Sequence, residues 1–328
     1  MAEPPGGGRL RATFQDMTLS RRNCLSSLAA AAALPVASSL AQPSGNAAAS
    51  TPRRYSLAVS TYSYWHFERQ KFPIEDVIKD AARIGFEGVE ILHRQMLDET
   101  PSYCNRLKQM AFDYGLSLPM LSIHQDFVEP DADERDRNVE HTINCIELAA
   151  RMGSPAIRLN SGRWGTSGTF DDLMAKKGEE DPIPGYTNED AFKWVIDCIH
   201  QCLPTAKREG VAMCIENHWG LTTSVQNLIR IYKEVNSPYL KMNVDTGNYP
   251  GDPYEGLTAL APYAHIVQAK TYQGGGVWYT LDLDYKRIAT ILRNAGFKGW
   301  ISLEMEGKEH AQTAVPKAYK ILRDAFTA

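Results

Sequence analysis

Five times along this chain, a segment with helical spacing of apolar residues stops at a glycine and passes into a short apolar stretch. Residues 73–84 read as an amphipathic helix that stops at Gly85 before GVEIL, and residues 102–114 stop at Gly115 before LPMLSI. Residues 135–152 stop at Gly153 before PAIRLN, residues 188–209 at Gly210 before VAMCIE, and ILRNAGFKG leads into WISLE. Glycine just past a helix takes the left-handed conformation that closes the last turn and redirects the chain. Helix, glycine and strand, repeated without hairpin signals, describe βα units and a parallel sheet. With SLAVST, LKMNVD and HIVQAK the strands number eight, which predicts a (β/α)8 TIM barrel of the α/β class. A doubly wound dinucleotide fold would place a glycine-rich turn after the first strand, where this chain has STYSYW.

The barrel is expected over residues 55–328, after two segments of different character. Residues 1–41 contain SRRNCLSSLAAAAALPVASSLAQ, with paired Arg21 and Arg22, an Ala-rich run and a small-x-small sequence ending at Ala41. That is the layout of a cleavable twin-arginine export signal. Cys24 stands where an aromatic is usual, and Met17 competes with Met1 as the initiator. The apolar run is short and broken by Pro35, so no membrane span is expected in the mature chain. Residues 42–54 read as a Pro/Ser/Ala-rich linker, and the mature protein is expected in the periplasm or outside the cell. Cys104, Cys145, Cys198, Cys202 and Cys214 form no C-x-x-C pair, so the spacing predicts neither a disulfide framework nor a thiolate metal site. The formal net charge is −4, and the leader itself is arginine-rich, so the mature chain is more acidic still. An acidic chain without basic clusters is a poor nucleic-acid binder.

The strands end in chemistry-bearing residues: Glu90 and His93, His124, Asn160, Glu216, Asp245, Gln268 and Lys270, and Glu304. In a barrel all such ends face one mouth, where these folds place their active sites. Turn capping would favour Ser, Thr, Asp and Asn over Glu, His and Gln, so capping alone accounts poorly for the set. Three carboxylates, Glu216, Asp245 and Glu304, converging on one mouth would repel one another unless a cation sat among them. With the Gln268 amide they make an oxygen donor set suited to one divalent metal, Mn²⁺ or Mg²⁺ rather than zinc.

At these residues the chain resembles the xylose-isomerase-like TIM barrels, the sugar phosphate isomerase/epimerase group that includes ketose 3-epimerases. The resemblance spans roughly residues 55–328 and is carried by CIENHWG, NVDTGNYP, IVQAKTY and GWISLEMEG. It implies one metal held through Glu, Asp, His and Glu, with Glu216, Asp245 and Glu304 matching directly. Gln268 stands where the family commonly has histidine, and Asn248 where ketose epimerases often carry a substrate-contacting histidine.

The expected function is a divalent-metal-dependent sugar isomerase or epimerase that abstracts a proton beside a carbonyl through an enediolate. Glu216 and Glu304 are the expected proton-transfer pair, and Lys270 and His124 the groups that either steady enediolate charge or shuttle a proton between oxygens. The alternative is a metal-dependent lyase or hydratase that acts on 3-keto-glycosides by β-elimination. A non-catalytic sugar-binding barrel is a third reading, against which the intact Glu216 and Glu304 argue. Asn160, Asn217, His218 and Asn248 are expected to line the substrate pocket. Trp65, Trp164, Trp219 and Trp278 fall in loops after strands, where aromatics suit the apolar faces of sugars or else anchor their loops. Glu90 and Arg158 are expected to pair inside the barrel, and YQGGGVW reads as a lid. A small sugar or sugar derivative is the expected partner, and a homo-oligomer is compatible with the chain.

Overall fold

A computed structural model describes residues 54–327. The expected export signal and nearly all of the linker lie outside the described residues. In chain order the elements are β1 Ser56–Ser60, α1 Ile74–Ile84, β2 Gly88–Leu92, α2 Pro101–Asp113, β3 Leu121–Ser122, α3 Ala132–Met152 and β4 Ala156–Leu159. They continue with α4 Phe170–Ala175, α5 Asn188–Glu209, β5 Ala212–Glu216, α6 Val225–Val235 and β6 Leu240–Asp245. The last are α7 Pro253–Leu260, β7 Ala264–Thr271, α8 Tyr285–Asn294, β8 Trp300–Met305 and α9 Ala311–Phe326. All eight strands pair in parallel in sequence order, and β1 closes on β8 through Ser56–Trp300 to Val59–Leu303. The expected (β/α)8 barrel is the observed one.

Local chemistry explains where the elements stop. Gly85, Gly153 and Gly210 follow α1, α3 and α5 with φ of 107°, 77° and 68°, the left-handed C′ position expected of them. Strand β3 is only Leu121–Ser122, shorter than the apolar run LPMLSI suggested. Pro119 lacks the N–H that an earlier start would need to donate to the ladder. The β4–α5 connection carries the short helix α4, which the sequence reading did not anticipate. A Thr169–Asp172 capping box holds its first turn.

Strand alternation sorts the side chains into two populations. One set, including Leu57, Ile91, Leu121, Ile157, Ile215, Val244, Val267 and Ile301, joins the large apolar core shared with the helices. Burying a side chain of this kind stabilises the fold by about 1.5–3 kcal/mol. The opposite parity faces the lumen. There Met120, Ala156, Cys214 and Ile266, with Ala212 packed against them, form a small separate apolar cluster. One step further along the same parity stand Ser122, Arg158, Glu216, Gln268, Ser302 and Glu304, all buried. The barrel wall is held from outside by apolar burial, and its interior above that plug is polar.

Candidate active site

Register brings the polar ends together. Glu216 lies beside Asn243, Asp245 beside Gln268, and Lys270 beside Glu304 on neighbouring strands. Lys270 Nζ sits 2.7 Å from Glu306 Oε1, 3.5 Å from Glu304 Oε2 and 3.6 Å from Asp245 Oδ2. Arg158 Nε lies 3.4 Å from Glu216 Oε2, near enough for attraction but not aligned as a hydrogen bond. Asn248 Nδ2 donates to the other oxygen, Glu216 Oε1, at 3.1 Å. Asp245 Oδ1 accepts from the backbone N–H groups of Gly247 and Asn248 at 2.7 and 3.1 Å. Glu216 Oε2 and Asp245 Oδ2 are buried and accept no hydrogen bond. Gly247 is required here, because a Cβ at that position would stand 2.6 Å from both Lys270 Cδ and the Tyr272 hydroxyl.

The Gln268 amide spans two carboxylates. Its Nε2 donates to Glu90 Oε1 at 2.7 Å and Glu304 Oε1 at 3.2 Å, while its Oε1 accepts from Asn243 Nδ2 at 2.5 Å. Ser122 Oγ also donates to Glu90 Oε1. Glu90 is therefore held by Ser122 and Gln268 and not by Arg158, the partner that the sequence suggests for it. Arg158 reaches Glu216, the Ile123 carbonyl and the His124 ring instead.

Burial sets the protonation states of this cluster. It pushes the Glu216 carboxyl up to about 8, against the pull of Arg158 and with a further push from Asp245. Asp245 rises to about 6, again through burial, with Lys270 opposing. Glu304 is held well above the usual carboxylate range by burial together with Asp245, Glu90 and Glu216. Burial works against the Lys270 ammonium, but Asp245, Glu306 and Glu304 outweigh it and keep the amine protonated. Burial and then Arg158 lower His124 to about 2, and the same causes hold His218 well below the ordinary range. Both imidazoles are thus neutral near pH 7. Carboxyls that resist ionisation beside a fixed cation, in a concave site, make this cluster the candidate for proton chemistry or metal binding.

A cavity of ≈ 330 Å³ opens over the cluster. Glu216, Glu304, Lys270, His124, His218 and Trp219, all singled out from sequence, form part of its wall. Asp245 and Gln268 lie fully buried beneath it. Other candidates are held away from the cavity. Asn217 donates to the Asp245 and Asn248 carbonyls and accepts from the Asp245 N–H, so it ties β5 to β6. The backbone of Asn160 is clasped by the Gln125 amide. Asn248 reaches the site indirectly, through Glu216 and a 3.5 Å contact from the Tyr279 hydroxyl. Trp164 donates to Asn188 Oδ1 and packs edge-on against Trp194, which anchors its loop to α5. Trp65 bonds the Glu68 carbonyl and packs against Phe67 in the same anchoring manner.

Several wall residues escaped the sequence reading. Glu306 supplies the shortest ion pair to Lys270 from just beyond β8. Its signal was present in LEMEG, where Glu306 follows Glu304 at the same strand parity. Tyr62 and Phe67 enter from the β1–α1 connection, Phe170 from α4 and Tyr279 from the long β7–α8 loop. Trp278 packs against Phe170 with ring centroids 4.7 Å apart, so two loops meet over the mouth. The glycine-rich loop is fixed at its base, where Val277 donates to the Glu306 carbonyl and Lys308 to the Gly275 carbonyl. No helix among the described residues is long and apolar enough to cross a membrane.

A family profile described as "Xylose isomerase-like TIM barrel" matches residues 78–325. No curated protein matches the chain. Among solved structures, D-psicose 3-epimerase from Clostridium cellulolyticum H10, crystallised with D-tagatose, is similar at 15% identity and a TM-score of 0.66. The match covers 83% of this chain and 100% of that one. The 3-keto-D-glucoside 4-epimerase of E. coli is similar at 16% identity and TM-score 0.63, with the same coverage of 83% and 100%. D-allulose 3-epimerase from Methylomonas sp. matches at 14% identity and TM-score 0.65, covering 84% of this chain and 99% of that one. These neighbours are sugar epimerases, and at such identities the likeness establishes a shared fold.

Proposed function

The chain belongs to the xylose isomerase-like TIM barrel family, and from that premise we propose that it is a divalent-metal-dependent sugar epimerase or isomerase. The observation that carries the proposal is the pair of buried carboxylate oxygens, Glu216 Oε2 and Asp245 Oδ2, that accept no hydrogen bond. Arg158 Nε at 3.4 Å and Lys270 Nζ at 3.6 Å attract these two oxygens without hydrogen-bonding to them, so each carboxylate keeps an oxygen free to take up a metal ion. Glu216, Asp245 and Glu304 would hold it, and their hard oxygens favour Mn²⁺ or Mg²⁺. As placed, Gln268 offers Glu304 its N–H and not its carbonyl. It would join the ligands by reversing its amide together with that of Asn243, whose buried Oδ1 is without a donor and would then accept the Gln268 N–H. When bound, the cation supplies Lewis-acid polarisation of a carbonyl oxygen and acidifies the adjacent C–H.

The remaining work falls to the protein's own groups. Glu216 and Glu304, whose proton affinity burial has raised, would take a proton from the carbon beside the carbonyl and return it to either face. Protonated Lys270 would donate to the oxygen on which charge develops. The neutral His124 and His218 offer hydrogen bonds to hydroxyls without adding charge. Trp219, Trp278, Phe67 and Phe170 wall the cavity and suit the apolar faces of a sugar. Return of the proton to the opposite face gives an epimer, and its return to the neighbouring carbon gives an aldose–ketose pair.

A second reading is elimination from a 3-keto-glycoside. It is favoured by the similarity to a protein that acts on a 3-keto-D-glucoside, since a leaving group β to the same carbanion would depart. The test is product analysis after incubation of Mn²⁺-loaded protein with free ketoses and 3-keto-glycosides. An isomer of unchanged mass supports epimerisation or isomerisation, and a released aglycone supports elimination. Absence of either product overturns both readings. We also propose export, from the paired Arg21 and Arg22 ahead of an Ala-rich run, and an unphosphorylated substrate would suit that location.

A further inference from the structure

A second cluster of ligand-type side chains lies behind the His124 wall of the active-site cavity. His93 is the first residue past β2, while His141 and Cys145 stand one turn apart on α3. One ligand atom from each comes within 4.8 Å of the other two. Cys145 Sγ is 3.9 Å from His93 Nδ1 and 3.7 Å from His141 Nε2. Around a tetrahedral zinc, with Zn–S about 2.3 Å and Zn–N about 2.05 Å, the corresponding sulfur–nitrogen separations are about 3.5 Å. Side-chain movements of a few tenths of an ångström would bring the three atoms to that spacing.

From this arrangement we infer that His93, His141 and Cys145 form a binding site for one zinc-class divalent cation, separate from the carboxylate cluster. The ligands are two imidazoles and a thiolate, a set that prefers Zn²⁺ to Mn²⁺ or Mg²⁺. Their supports are already in place. Glu99 Oε1 lies 2.7 Å from His93 Nε2, so the carboxylate holds the far ring nitrogen and aims Nδ1 at the cluster. This carboxylate–histidine pairing is the support commonly seen behind metal-bound imidazoles. His141 shares α3 with Cys145, so the helix itself fixes the spacing of those two ligands. A cavity of ≈ 460 Å³ adjoins the cluster and gives an entry path and room for a completing water. Its two cations are turned to other partners: Lys71 bonds the Met96 carbonyl, and Arg94 lies over the Phe67 ring.

Binding would displace the Cys145 thiol proton to solvent and leave both imidazoles neutral. It would tie the end of β2 to α3, two elements whose junction backs His124. His124 borders both cavities, so the metal would stiffen one wall of the substrate site without touching substrate. The cysteine spacing alone gives no hint of this, because the partner imidazole His93 is far away in sequence.

The experiment uses the full, tag-free chain stripped with chelator and titrated with Co²⁺, then with Zn²⁺. Wild type is expected to show near-ultraviolet thiolate-to-cobalt charge-transfer absorption and to retain one Zn²⁺ against excess Mg²⁺. Cys145→Ser is expected to abolish the absorption and weaken Zn²⁺ binding at least about tenfold, with Glu99→Gln weakening it by about 10- to 100-fold. His141→Gln, at a half-buried helix position, should also lose the bound Zn²⁺ and decides the matter if Cys145→Ser does not fold. Asp245→Asn should leave the thiolate absorption intact, which separates this site from the carboxylate cluster. Absence of the absorption in wild type, Zn²⁺ retention unchanged in His141→Gln, or Zn²⁺ lost only with Asp245→Asn overturns the inference.

Discussion

Replacing Lys270 with Met removes the ammonium that neutralises Asp245, Glu304 and Glu306 but keeps most of the side chain's volume. Glu306, at 2.7 Å, gives a gross attraction of about 6 kcal/mol at an effective dielectric of about 20, and Asp245 and Glu304, at 3.6 and 3.5 Å, add about 5 kcal/mol each to the extent that they are ionised. Desolvation of the ammonium offsets much of that. Removing one partner of a buried ion pair nevertheless costs about 3–5 kcal/mol, because the other charge is stranded. That is the expected loss in metal-free protein. With Mn²⁺ among Glu216, Asp245 and Glu304, the missing charge is replaced. The loss should then fall to about 1.5–3 kcal/mol, the scale of the charged hydrogen bond to Glu306. The two losses differ by about 2 kcal/mol, so the variant should bind Mn²⁺ about 30-fold more tightly. Urea unfolding with and without Mn²⁺ gives one side of this cycle, and calorimetric titration gives the other. Equal destabilisation in both conditions, or weaker Mn²⁺ binding by Lys270→Met, would refute the argument that Lys270 and a cation share the same carboxylates.

In metal-free protein, Glu216 keeps its proton up to about pH 8 when folded but only to about 4.5 when unfolded, so its contribution to stability is lost as pH rises between them. His124 and His218, lowered on folding, act in the opposite sense only below about pH 6.5. The midpoint of urea unfolding should therefore fall from pH 6.5 to 8 and do so less in Glu216→Gln, and a rise over that range in wild type would count against this assignment. Gln268→His should raise affinity for Zn²⁺ or Co²⁺ at the carboxylate site, and Gln268→Ala should weaken every metal there without eliminating it. Elemental analysis and calorimetry that register no change in either variant would remove Gln268 from the ligand set. Changing Arg21 and Arg22 to Lys should retain the protein in the cytoplasm, and unchanged export of the double variant would rule out a twin-arginine signal.

The barrel was legible because its signals are local. A glycine past a helix and a period of two in a strand need no knowledge of distant chain, and all eight strands fall where those signals put them. Strand β3 is shorter than LPMLSI suggests because Pro119 removes a ladder donor, and α4 leaves little trace in the sequence because its capping box sits in a long polar loop. The carboxylate cluster was legible for a related reason: strand ends of a closed parallel barrel must share one mouth. The pairings within it were not legible. Arg158 meets Glu216 and not Glu90 because side-chain partners across a lumen depend on how the barrel closes, which no single strand encodes. Loop aromatics were harder still. Trp219 and Trp278 reach the cavity while Trp65 and Trp164 brace their loops, and all four look alike in sequence. Asn217 sits beside Glu216 in the chain, yet strand alternation turns it to the backbone of β6.

The central claim is that Glu216 and Glu304 move a proton at the carbon beside a sugar carbonyl. The direct measurement is incorporation of solvent deuterium into a panel of keto- and aldo-sugars by Mn²⁺-loaded protein in D₂O, followed by NMR and mass spectrometry. Wild type should introduce one deuterium at that carbon, and Glu304→Gln, folded and metal-loaded, should do so at least about 10²-fold more slowly, the scale expected when a general base is lost. Exchange at the wild-type rate in Glu304→Gln would contradict the account, as would epimerisation of a sugar by wild type without any deuterium entering it.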